Sequence, residues 1–183
     1  NEQGILCDAS CRAMQLRGFV TSTAFSGDLG GLFGADLKCR AAAKVAGLAE
    51  PDRFFAYLST GDVAAKERFE NVASSWPYVL VTGKKIADSF ADLTVLGPID
   101  NGISLTEYGS TIFAKYVATN TAPGGGSFSP DQHCQGWTSA SAAHIGRVGL
   151  NALPVDSPDL AAWKAEQWWT GVESRQCDKA PFR

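Results

Sequence analysis

"FSGDLGGLFGADLKCRAAAKVAGL", residues 25–48, decides how the rest of the chain is read. Gly27, Gly30, Gly31 and Gly34 crowd its front, and an alanine-rich run bearing Cys39 follows. Such a cluster either cradles a phosphate or lets the backbone turn where a Cβ would not fit. The dinucleotide fingerprint G-x-G-x-x-G needs two glycines one residue apart, whereas the spacing here is G-x-x-G-G-x-x-G, and the Walker pattern is absent. The glycines therefore read as a structural turn into a helix. Asp36 is the candidate cap, Leu37, Ala41, Val45 and Leu48 recur at the helical period, and Gly47 fits as the stop.

Working outward, "GFVTSTAF" (18–25) and "FFAYLST" (54–60) carry the β-branched and aromatic residues of strands. Strand, helix, strand and then Asp62 imitate a nucleotide-binding unit, but no second βα unit follows. "GDVAAKERFENV" predicts a short helix from Asp62, and "YVLVTG" (78–83) and "KIADSFADL" (85–93) read as strand-like pieces. "TAPGGGSFSPDQ" (121–132) has the composition of a long flexible loop. "SPDLAAW" (157–163) predicts a short helix with Ser157 as cap and Pro158 in the first position.

The 183 residues suit one domain, and a net charge of −3 offers a polyanion no general attraction, so nucleic acid is not an expected partner. No apolar run approaches the roughly 18 residues of a membrane span. Without an initiator Met or a signal peptide, the sequence reads as a mature product or a piece of a longer precursor. Cys7 and Cys11 are spaced C-x-x-x-C, and His133 and His144 are the only histidines, which fits disulfides better than a metal site and implies an oxidising compartment. No metal or other cofactor is expected. Five cysteines leave one free or paired elsewhere.

"GWTSASAAH" (136–144) sets Ser139 and Ser141 near His144, but no G-x-S-x-G elbow accompanies them, and an enzyme is not expected. Asp88 and Asp92 read as acids on a solvated face. Trp76, Trp137, Trp163, Trp168 and Trp169 could stack on sugars or fill gaps between irregular segments. For Trp168 and Trp169 the core reading is favoured. For Trp76 and Trp137, which stand beside turn residues, the two are balanced.

Taken together, residues 19–48, "FFAYLST", "CQGWTSAS" and "WWTGVESRQC" resemble the bacterial leptospiral endostatin-like family, related to endostatin and to C-type lectin-like domains. The resemblance implies an α+β, C-type lectin-like fold over residues 18–183, with small antiparallel sheets, one or two short helices and a long irregular loop region. Residues 1–17 resemble a linker or the tail of a preceding cysteine-rich module, in which Cys7 and Cys11 pair with each other. It also implies a Cys134–Cys177 bridge, with the partner of Cys39 beyond Arg183; a Cys39–Cys177 pair and an unpaired Cys39 stay open. The calcium-binding members of the wider fold have W-N-D where this chain has Thr170 and Gly171, so no calcium is expected. Endostatin's heparin and zinc sites do not carry over to this acidic chain, whose first histidine is His133. The resemblance thus implies a secreted or surface-displayed bacterial binding module for an extracellular protein or glycan. Trp76, Tyr78, Phe128, Asp131, Gln132, His133 and Trp137 are its expected contacts.

Overall fold

The computed structural model describes residues 15–73, 76–94, 102–154, 156–165 and 173–179. They form a mixed α+β domain with two three-stranded sheets and a few short helices. In the first sheet β1 (Leu16–Gly18) runs parallel to β2 (Tyr78–Leu80), and β3 (Lys85–Ala87) returns antiparallel to β2. In the second, β4 (Tyr116–Ala118), β5 (Ile145–Leu150) and β6 (Glu173–Gln176) are antiparallel throughout. α1 (Gly31–Val45) and α2 (Ala65–Ala73) lie between β1 and β2 in the chain, and α3 (Phe90–Thr94), a tight turn α4 (Cys134–Trp137) and α5 (Leu160–Ala165) follow. One apolar cluster gathers Tyr78, Leu80, Ile86, Phe90 and Leu93. A second gathers Leu29, Ala35, Leu58, Trp137 and Val148 around the Cys134–Cys177 disulfide.

The glycine segment is a turn into a helix, with the start displaced from expectation. Gly30 sits at φ +79°, a conformation that costs a side-chain-bearing residue energy, and its N–H donates to Asp28 Oδ1 at 3.2 Å. The Asp28 carboxylate thus bonds the residue that caps α1, near the positive end of the helix. Gly27 is needed for close approach, because a Cβ there would overlap Cys134 Sγ. The helix begins at Gly31, five residues before Asp36, so Asp36 is an interior residue and not the cap. It is 7% exposed and binds Arg68 of α2 while accepting the Ala56 N–H at 2.9 Å. Gly47, at φ +70°, ends the helix as expected.

The stripe that follows the helical period faces largely outward in α1. Leu37 and Val45 are 47% and 74% exposed, and with Phe33 they form an apolar ridge toward solvent. The inward face carries Ala35, Asp36 and Ala43, with Cys39 half-buried beside them. That face carries the Asp36–Arg68 pair, which ties α1 to α2 and turns the larger apolar residues outward.

The strand expected at 18–25 is instead Leu16–Gly18, followed by isolated bridges at Val20, which pairs with Thr106, and at Phe25. Pairing therefore starts inside the stretch read as linker. "FFAYLST" joins no ladder, because other partners take its backbone groups. Asp36 takes the Ala56 N–H, Arg68 donates to the Ala56 and Leu58 carbonyls, and Thr119 O accepts from Ser59 N. "KIADSFADL" divides into β3 and α3, with Ser89 Oγ capping Asp92 N at 3.1 Å. The sheets are not all antiparallel, and the described helices exceed the expected one or two. Cys7, Cys11, Trp168, Trp169, Thr170 and Gly171 lie outside the described residues.

Candidate functional site

β5 and β6 put Ile145 opposite Gln176 and Arg147 opposite Ser174. Gly146 and Val148 are buried while Ile145, Ser174 and Gln176 are exposed, so the alternation of the strands turns this second set outward. The loop before α4 lies over that face. The Arg147 guanidinium sits 3.9 Å from the centroid of the Phe128 ring, and its Nη1 donates to Ser174 Oγ at 3.1 Å. Ser174 Oγ donates to Gln132 Oε1 at 2.6 Å, and Arg147 N donates to Gln132 O at 2.8 Å. Partial burial lowers the Arg147 pKa from its ordinary value. Phe128 remains 43% exposed, and Asp131 beside it accepts from Ser129 Oγ at 2.6 Å.

The expected flexible loop is pinned. Asn120 is fully buried; its side-chain amide receives Ser129 N at 3.1 Å and donates to Ser129 O at 2.9 Å, clasping the loop from inside. Thr121 Oγ1 lies 2.9 Å from Ser59 Oγ, which also accepts from Ala65 N. Phe128 and Asp131 are thus displayed from an anchored segment, which limits the ordering cost of binding.

Next to this face, Cys134, Gln135, Gly136 and Trp137 have φ of 47°, 52°, 68° and 64°, a left-handed turn. For residues other than Gly this costs on the order of 1–2 kcal/mol each. The disulfide holds one end of the turn, and Trp137, fully buried, donates Nε1–H to Ser59 O at 2.9 Å at the other. His133 closes it from the side. Pro130 O can only accept and Gly136 N–H can only donate, so Nε2 carries the proton at 2.8 Å and Nδ1 receives at 2.6 Å.

Of the expected contacts, Phe128 and Gln132 meet through Arg147 and Ser174, while Asp131 bonds Ser129 and His133 bonds Pro130 and Gly136 in the same loop. Trp137 does not join them, because it is core. Tyr78 is buried in the first cluster, and Trp76 is half-buried just before β2 in the other sheet. Arg147, Ser174 and Ile145 were missed. The alternation in "IGRVGL" points to them, but its two glycines dilute the strand signal.

Ser139 Oγ lies 2.7 Å from His144 Nδ1 and accepts from Ser141 N at 3.2 Å. Ser139 is 9% exposed, and the pair closes the turn between the disulfide and β5. Among the described residues no group of three or more His, Cys, Asp or Glu is arranged to hold a metal. Nor is any described helix long and apolar enough to cross a membrane.

Cys39 is the cysteine without a disulfide among the described residues, which removes the Cys39–Cys177 alternative. Burial, with Asp36 adding to it, pushes its thiol up to about 12 from 9.0. Burial also lifts Tyr78 to about 12, and burial and then Tyr78 lift Tyr57 further. In each case the folded protein keeps a proton that the unfolded chain gives up sooner. Stability is therefore complete below about pH 9 and lost as the pH rises toward about 12. Urea midpoints should hold near about pH 8 and fall toward about pH 11; midpoints unchanged over that range would contradict the burial of these groups.

A scan against protein-family models finds no match to the chain, and a search of curated proteins finds none either.

Proposed function

We propose that this domain is a non-enzymatic recognition module, secreted or displayed on a bacterial surface, that binds a glycan through Phe128, Asp131, Gln132 and the Arg147–Ser174 pair without calcium. The observation that carries the reading is the anchored, exposed Phe128 ring backed by Arg147, which Ser174 links to Gln132, with the exposed Asp131 in the same loop. A sugar ring offers a C–H face to an aromatic plane and hydroxyls to planar polar groups, and this face supplies both. The Cys134–Cys177 disulfide supports an oxidising compartment. That bridge, with the glycine turn into a cysteine-bearing helix, also supports the C-type lectin-like, endostatin-like assignment.

A glycan array with and without chelator tests this. Phe128→Ala should weaken the best binder on the order of tenfold, with the melting temperature nearly unchanged because the ring is half in water. Signal lost with chelator would overturn the calcium-independent reading. A second reading, an extracellular protein ligand or a packing role in a larger surface protein, is favoured by the exposed Phe33, Leu37 and Val45 ridge of α1. Binding that survives Phe128→Ala but is lost in Leu37→Asp would select it.

A further inference from the structure

Between the two apolar clusters lies a cavity of about 190 Å³. Tyr78 and Leu93 of the first cluster and Leu29 and Ala35 of the second line it. So do Phe19, Phe25, Phe54, Phe55 and Phe69, and each of these residues is only half-buried. Phenylalanine is among the residues most often fully buried in a folded domain, so half-buried rings gathered in one wall leave apolar surface for an occupant to cover.

The wall also carries charge of one sign. Arg17 and Lys38 line the cavity, and no carboxylate does. The Lys38 ammonium lies 5.2 Å from the centroid of the Phe25 ring, beside a ring of the wall. Among the described residues neither cation has an ion pair or a side-chain hydrogen bond, although a chain of net charge −3 has acids to spare. Asp36, on the same helix as Lys38, is taken by Arg68, and Glu107 accepts from Ser22. Of the residues that line the cavity Arg17 alone is exposed, so the space opens to water on that side.

We infer that this cavity binds a single-chain carboxylic acid of about eight carbons, its tail among the phenylalanines and its carboxylate held by Lys38 and Arg17 at the open side. An apolar cavity of about 150 Å³ takes up the six carbons of benzene, which sets the length. An ammonium and a guanidinium give a carboxylate charge-assisted hydrogen bonds, and a head at the opening keeps part of its hydration. A neutral ligand leaves both cations unmatched, and a cationic one is repelled by them. No residue of the Phe128 face lines the cavity, so either site can fail without the other.

Calorimetric titration of the whole chain with octanoate, 1-octanol and butyrate is the test. Octanoate should bind on the order of tenfold more tightly than 1-octanol, which has the same chain length and no charge. Butyrate, four methylenes shorter, should bind roughly 100-fold more weakly than octanoate. The double variant Arg17→Gln, Lys38→Met should bind octanoate and 1-octanol equally and melt close to the parent, since neither cation holds an ion pair in the fold. Lys38→Arg, which keeps the charge, should keep the preference for octanoate. Cys39 locates the ligand: at octanoate ten times its Kd, alkylation of this half-buried thiol of the wall should slow by roughly tenfold. Absence of octanoate binding, no tighter binding of octanoate than of 1-octanol by the parent chain, a preference that survives in the double variant, or an unprotected Cys39 would each overturn the inference.

Discussion

Replacing Cys134 and Cys177 together by Ala is expected to cost the domain about 4 kcal/mol. The bridge closes a 43-residue separation, and that loop length sets the chain entropy released when the link is removed. Two structural consequences add to it. Cys134 is the first residue of the left-handed turn, whose strain must then be carried by Trp137 and His133 alone. Both sulfurs also sit in the second core, where each is fully buried. The melting temperature should fall by roughly 8–16 °C for a domain of this size. Calorimetry of the double variant checks it, and a drop of only a degree or two would mean that the turn holds without the bridge. Because β6 leads directly into Cys177, exchange of the β5–β6 amides should rise with it.

Asp36→Ala is expected to cost about 3–5 kcal/mol. The carboxylate and the Arg68 guanidinium are only 11% and 12% exposed, so removing one leaves the other charged in a poorly hydrated place. The Ala56 N–H loses its acceptor in the same change. Arg68 keeps its bonds to the Ala56 and Leu58 carbonyls, which limits the damage to the lower part of the range if the side chain can reach water. Adding Arg68→Met should then recover part of the loss, since two apolar side chains no longer bury an unmatched charge. Urea unfolding of the two single variants and the double completes the cycle. Strictly additive losses would show that the two residues act separately and that the pair does not tie α1 to α2.

Much of the local chain path was legible in the residues. A glycine cluster without the phosphate spacing is a turn, and Gly30 at positive φ bears that out. Gly47 ends α1, whereas α5 starts at Leu160 and not at Pro158, with Ser157 opening the turn before it by accepting the Asp159 N–H at 3.3 Å. The loop half of the candidate site was legible too, because Phe128, Asp131 and Gln132 sit in a turn-rich stretch that could only be surface. The other half was not. Arg147 and Ser174 are ordinary polar residues until strand pairing sets them opposite each other, and Trp137 reads equally as a ligand platform or as core until Ser59 O is found at its indole nitrogen.

By itself, then, the amino-acid sequence determined where the backbone turns and where helices stop, since those depend on sterics and hydrogen bonds within a few residues. The tertiary structure alone decided three things: which face of α1 is buried, that β1 pairs in parallel with a strand some sixty residues away, and that Asp36 serves Arg68 instead of a helix end. The reason is that each of these choices is made by the partner brought in from a distant segment. Ala35 and Ala43 take the buried face of α1 while Leu37 and Val45 stay in solvent, a choice that the helical period alone does not make.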